Sequence, residues 1–188
     1  LSRHYALPIY FPYYFIPSGG TATPRQIGAN ANCQKCHDDF RLEVNTSDEF
    51  VQHGGQRING ELCNVCHNPD RYSNPSADSK VFIHRIHYGE HIQPANQFHG
   101  IAATFPQDVR NCDLCHKGAQ QGQQDILHPS RAACGSCHDY VDFTGNPNLP
   151  TCNYNQVVLG DAGLPAPCGH VGGAQSDDTT CTLCHKPT

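Results

Sequence analysis

Methionine and tryptophan are absent from the 188 residues of this chain, and charged side chains make up only 15% of it. Without Met, no thioether sulfur is on offer to a metal. The 12 Lys and Arg residues form no basic block, and the formal net charge is −5; a nucleic-acid partner is therefore not expected. No apolar run reaches the 18 or so residues of a membrane-crossing helix, so no transmembrane segment is expected. Hydrophobic residues amount to 37%, below the roughly 45–50% of ordinary globular domains, and the mean hydropathy is −0.55. The length suits one domain, or one domain and an arm, but side chains alone make a thin core for it. With 17 Gly and 14 Pro, the fold is expected to be mostly irregular, with short α-helices and little sheet. The 8 Tyr and 8 Phe are too many for a disordered tail.

What the chain does have is cysteine and histidine. Ten of its 12 cysteines fall into five copies of C-x-x-C-H: Cys33, Cys36 and His37; Cys63, Cys66 and His67; Cys112, Cys115 and His116; Cys134, Cys137 and His138; Cys181, Cys184 and His185. This is the c-type haem attachment motif. Two thiols three positions apart reach the two vinyl groups on one edge of a porphyrin, and the following His lies under the ring, where its imidazole meets the iron. Zinc ribbons also use paired cysteines, but zinc requires no His after every second one. A redox C-x-x-C is usually single, and a disulfide framework would not repeat one spacing with a fixed follower. Five covalent haems are thus expected, with their flat apolar faces filling the core. Apo and holo chains should then differ as unfolded and folded. Motif starts at residues 33, 63, 112, 134 and 181 follow no fixed period, so the chain is not a solenoid.

Thirteen histidines less five motif histidines leave eight: His4, His53, His84, His87, His91, His99, His128 and His170. Met/His ligation is impossible here, and since Met raises haem potential, low-potential bis-histidine iron is expected. Eight candidates suffice for five irons, so no open catalytic iron is required. Lys80–Tyr88 reads as a short helix closed by Gly89 as a left-handed residue past its end. His84 and His87 share one face of that helix, a turn apart, and are expected to serve two neighbouring haems.

The segments HGGQRINGELCNVCHNP (His53 to Pro69), VFIHRIHYGE (Val81 to Glu90), FPQDVRNCDLCH (Phe105 to His116), PSRAACGSCHD (Pro129 to Asp139) and HVGGAQSDDTTCTLCH (His170 to His185) resemble, in motif and order, a pentahaem module of the OmcA/MtrC family of outer-membrane multihaem c-type cytochromes. The resemblance implies distal ligation by His53, His84, His87, His99 and His170, with His128 in reserve and His91 at the surface. It implies extracellular electron transfer to minerals, soluble shuttles or partner cytochromes. The β-barrel domains that normally join two such modules have no room in this chain.

Residues 1–28 differ from the haem-bearing 29–188. Leu7 to Gly20 carries Pro8, Pro12 and Pro17 among aromatics and isoleucines, which excludes a helix or central strand. An extended apolar arm of this kind either folds back over its own module or docks on a neighbouring subunit. The second course leads to a homopolymeric filament outside the cell or on its surface, with His4 able to ligate an iron in the neighbour; a monomeric periplasmic or cell-surface shuttle is the alternative. Cys152 and Cys168 remain over and are expected to form a disulfide. Asn45-Thr46-Ser47 fits a glycan acceptor, and Asp177-Asp178 a solvated loop or a charge at the helix start before the fifth motif. Thioether attachment takes place outside the cytoplasm, and Leu1 opens no charged and apolar leader, so any signal peptide is expected to have been removed. The reading is an extracytoplasmic electron carrier rather than an enzyme: multihaem nitrite- or hydroxylamine-type enzymes need an iron with an open axial side, and no motif here deviates from C-x-x-C-H.

Overall fold

A computed structural model describes residues 13–38, 40, 59–69, 75–153, 155, 159–160 and 163–185. The chain divides into two compact units, one of Leu1–Asn68 with Asp113–Gly122, the other of Pro69–Cys112 with Gln123–Thr188. Among the described residues the helices are short: α1 (Asn30–His37), α2 (Glu61–Cys66), α3 (Ser79–His87), α4 (Asp113–His116), α5 (Gln124–Leu127), α6 (Arg131–Cys137) and α7 (Cys181–Cys184). Five of them carry a haem-attachment motif. The sheet is one parallel pair, β1 (Val141–Asp142) and β2 (Cys168–Gly169), in which Val141 faces Cys168 and Asp142 faces Gly169. The mostly irregular, short-helical architecture matches the composition.

In the first unit, α1 packs against α4. The Asn32 side-chain amide donates to the carbonyls of Cys115 (3.2 Å) and Lys117 (2.7 Å), and Ala29 N–H to Cys115 O (3.0 Å). Asn30 Oδ1 accepts the Gly60 N–H at 2.8 Å, which ties the start of α1 to the start of α2. The described part of the arm returns to its own unit: Tyr14 Oη donates to Glu61 Oε2 (3.2 Å) and Gln26 Nε2 to Glu61 Oε1 (2.7 Å). Tyr13 and Phe15 nonetheless stay exposed, at 80% and 67%. Residues 1–12, with His4, and the segment holding His53 and Asn45-Thr46-Ser47 lie outside the described residues.

In the second unit, α3 packs against α6. Asp78 caps α3, accepting the Lys80 N–H at 3.0 Å, and Ser130 caps α6 through the Ala133 N–H at 3.2 Å, each satisfying an amide that the first helical turn leaves over. The end of α3 falls where the sequence places it, but with a different backbone conformation at Gly89. Tyr88 is its C-cap, and Gly89 opens a 3₁₀ turn, Gly89–His91, without adopting a left-handed conformation. Glycine is needed there for space: a Cβ would lie 2.6 Å from Ala103 N and 2.8 Å from Ile101 O. Cys152 and Cys168 form the expected disulfide, with Cα atoms 5.0 Å apart. Asp178 lies in an exposed loop ahead of α7, one of the two settings expected of it. Its Oδ1 accepts from Arg131 N (3.1 Å) and Nε (2.8 Å), so it anchors the first residue of α6 and leaves the start of α7 uncapped.

The core is thin. Among the described residues the buried apolar side chains are Val81, Ile92 and Cys152, and the fully buried ones are Ile92 and Ser136. A domain held by side chains alone buries far more, since fixing each residue's backbone opposes folding by roughly 1–2 kcal/mol. Apolar Val65 and Leu183, inside the second and fifth C-x-x-C pairs, are 62% and 68% exposed.

Candidate haem centres

Each motif sits on a helical turn that ends at or beside its histidine. His67, His138 and His185 are the C-caps of α2, α6 and α7, and their N–H groups donate to the carbonyls of Cys63 (2.7 Å), Cys134 (2.9 Å) and Cys181 (2.9 Å). His37 and His116 are the last residues of α1 and α4. One i→i+4 turn thus fixes both thiols and the imidazole of a motif together. The ten motif cysteines form no disulfides.

Three of the ten motif thiols are poorly suited to thiolate chemistry. Burial pushes Cys33 and Cys134 up, and Cys137 to about 11, with the Cys112 thiolate adding to the last. Zinc ligands and redox nucleophiles depend on lowered thiol pKa values, whereas a thioether carries no charge for burial to oppose. Among the described residues, no three His, Cys, Asp or Glu side chains gather as a metal ion would require.

Three imidazoles are held in the tautomer an iron ligand needs. His84 Nδ1 lies 2.6 Å from Lys80 O, His87 Nδ1 2.7 Å from Ile83 O, and His116 Nδ1 3.0 Å from Ile27 O. A carbonyl oxygen only accepts, so the proton sits on Nδ1 and the lone pair on Nε2. This backbone hydrogen bond is the usual companion of a metal-bound imidazole. The packing of α3 on α6 brings the His84/His87 helix against the helix of the fourth motif. The edge of His87 meets the Phe105 ring at 5.6 Å.

His170 and His185 supply the most direct geometry. Their ring centres are 6.3 Å apart. With metal–imidazole bonds of about 2 Å and a ring nitrogen about 1.2 Å from the ring centre, two imidazoles on opposite sides of one metal ion have centres about 6.3 Å apart. His170 is delivered by β2: its N–H donates to Asp142 O at 2.9 Å, one residue beyond the disulfide-bonded strand. Gly172 N–H donates to His170 Nδ1 at 3.2 Å. Ligation through Nε2 moves the ring proton to Nδ1 and forgoes that long bond.

His99 is exposed and left-handed (φ 52°, ψ 28°) in the turn Phe98–Gly100, a conformation that disfavours a side-chain-bearing residue and tends to be kept where function needs it. Its ring packs on Phe98 at 4.4 Å, and Phe98 packs on Phe82 of α3 at 5.2 Å. His128 is the exposed C-cap of α5. His91 is at the surface, 3.5 Å from Glu90. Asp139, right after the fourth motif, is a contributor that sequence reasoning missed: its Oδ2 accepts from Gln93 N (2.8 Å) and Asn96 Nδ2 (3.0 Å), tying the motif to residues 46 and 43 positions earlier. No local pattern announces such a contact.

Five short helices presenting C-x-x-C-H, paired imidazoles and a sparse core define a multihaem c-type cytochrome. Residues 25–188 match the family described as Outer membrane cytochrome MtrC/MtrF-like, domains II/IV, and the chain belongs to that family. Its place is accordingly outside the cytoplasm, and among the described residues no helix is long and apolar enough to cross a membrane. The fold is also similar to the crystal structure of MtrC from Shewanella baltica OS185, with a TM-score of 0.57 and 22% identity over 90% of this chain and 21% of that one. The chain thus spans about a fifth of the length of that protein. No curated protein sequence matches it.

Proposed function

We propose that the chain carries electrons outside the cytoplasm through five covalently bound c-type haems, each iron between two histidines. The observation that carries this reading is the 6.3 Å separation of the His170 and His185 rings, which suits the two faces of one iron. The thioether sites are Cys33 and Cys36, Cys63 and Cys66, Cys112 and Cys115, Cys134 and Cys137, and Cys181 and Cys184. His37, His67, His116, His138 and His185 are the proximal ligands; His53, His84, His87, His99 and His170 are the distal ones, with His4 and His128 in reserve. Bound haem supplies a one-electron couple whose potential follows from axial ligands, hydrogen bonding and burial. The protein's part is to hold the imidazoles. The Lys80 and Ile83 carbonyls keep the Nδ1 proton of His84 and His87 in place, and α3 keeps the two rings one turn apart, so the centres they serve are neighbours. Saturated ligation leaves no iron for substrate, which favours a carrier over an enzyme.

Residues 1–28 are proposed as an arm and 29–188 as the haem-bearing part. The exposure of Tyr13 and Phe15 favours use of the arm between copies of the chain, so that haems of successive subunits form one conducting row; other redox proteins would supply and receive the electrons. The test is the purified holoprotein. Intact mass should show five haems per chain, and the reduced protein should bind no carbon monoxide. Fewer haems, or a five-coordinate iron, would overturn the reading. A compact monomer on size-exclusion chromatography would sink the assembly while leaving the carrier intact.

A further inference from the structure

Among the described residues of the second unit there are four cations, and three of them are spoken for. Lys80 lies 3.5 Å from Asp78, Arg110 forms a two-bond pair with Asp108 at 2.8–2.9 Å, and Arg131 binds Asp178 at 2.8 Å. Arg85 is the exception. It sits on α3 between His84 and His87, and its Nε is buried without a hydrogen-bond partner among the described residues. A buried guanidinium N–H left unmatched is destabilising by several times what a surface ion pair returns, and Arg stays charged at any working pH. A position of this kind persists where something absent from the polypeptide completes it.

The chemistry of the missing partner follows from the group and the neighbourhood. A planar guanidinium fork selects a carboxylate or phosphate, which it grips through two parallel bonds. Each haem carries a pair of propionate carboxylates on the edge opposite its thioethers. Arg85 is adjacent in sequence to one proposed iron ligand and two residues from another, on the helix that packs against the fourth motif. We propose that Arg85 is an anion site that holds a propionate of a haem ligated by His84 or His87, raising that haem's potential and fixing its orientation against α3. This rests on the five-haem reading above. Fixed positive charge beside the iron favours the reduced state, so Arg85 would set one potential in the row apart from what its two histidines alone would give.

The test compares Arg85→Gln and Arg85→Lys with the wild-type holoprotein. Intact mass comes first: a wild-type protein with fewer than five haems removes the premise. If five are present in a variant, redox titration followed in the Soret region should show one component moved to lower potential in Arg85→Gln, by about tenfold in its reduction equilibrium, or ~59 mV for one electron. Arg85→Lys, which keeps the charge and loses the fork, should move less. Resonance Raman spectra should lose intensity at one propionate bending band while the low-spin ligation markers stay put, and the band should be unaffected in wild type by dialysis against phosphate-free or carboxylate-free buffer, as expected of a haem carboxylate rather than a soluble anion. All five haems retained with unchanged potentials and propionate bands in both variants would overturn the proposal. So would a wild-type band that disappears on dialysis.

Discussion

Replacing the Cys152–Cys168 disulfide by a pair of alanines tests how His170 is held. The bridge closes a loop of sequence separation 16, for which the chain-entropy account gives about 3 kcal/mol. It acts close to the ligand. Cys168 begins β2, Cys168 N–H donates to Tyr140 O, Cys152 N–H to Gly169 O, and His170 N–H to Asp142 O, all at 2.9 Å. With the bridge gone, these backbone bonds, the Gly169 N–H bond to Pro150 O at 2.8 Å, the two-residue strand pair and the Phe143 ring at 5.1 Å from that of His170 are what keep His170 opposite His185. A two-stranded pair this short has little stability of its own. Detachment of His170 should become more frequent by roughly two orders of magnitude, the equivalent of 3 kcal/mol. Because five haem centres need not open together, a global two-state midpoint is the wrong measure. The assay is a denaturant titration of the oxidised holoprotein, following conversion of one haem from low to high spin and, after reduction, its binding of carbon monoxide. The double variant should show one of five haems converting well before the rest, and mild reduction of the wild type should reproduce the effect. A variant with all five haems whose first ligand-loss step matches the wild type within about 0.5 kcal/mol would refute the idea that the bridge secures the ligand.

Two further outcomes follow. Gly89→Ala puts a Cβ within 2.6 Å of Ala103 N and 2.8 Å of Ile101 O, both backbone and unable to swing aside; overpacking of this kind is destabilising by about 1–3 kcal/mol and should show as earlier loss of the His84 and His87 ligands in the same titration, whereas Gly118→Ala, which meets nothing but is left-handed, should change stability without that selective loss. Acid should loosen the start of α6. Burial alone would raise the Asp178 carboxyl, but bonds from the Arg131 side chain and backbone, and its charge, outweigh burial and hold it below the ordinary range. A depressed carboxyl contributes stability above its unfolded value, near pH 4, and loses it as pH falls toward the folded value. Protection of the Ala133 and Cys134 amides, relative to their intrinsic exchange rates, should therefore fall below about pH 4, and Asp178→Asn should be nearly insensitive over that window; equal acid sensitivity in both proteins would show that the pair is idle.

The chemistry of this chain was legible in one dimension because haem attachment is local. Both thiols and the proximal imidazole belong to five consecutive residues, so the spacing is itself the geometry and no partner from elsewhere is needed. The absence of Met fixed the kind of axial ligand on offer, and the shortage of apolar residues implied that something other than side chains fills the core. Helix α3 and its end at Gly89 were readable from the run of apolar and histidine residues, but the reason for the glycine was not: it is not left-handed, and stands where the 101–103 backbone passes too close for a Cβ. Distal ligation was less open to reading, because each such histidine must be brought to an iron attached elsewhere. His170 and His185 are fifteen positions apart in sequence, and the fold around the strand pair and the disulfide sets their ring centres 6.3 Å apart at a tilt of 41°. Asp139 and Arg85 carry no signal in the sequence, and Asp178 only that of an acidic residue ahead of the fifth motif. Their roles follow from which groups the folded chain leaves satisfied and which it leaves waiting, and that is decided by long-range packing, where residues more than forty positions apart come within a hydrogen bond of each other.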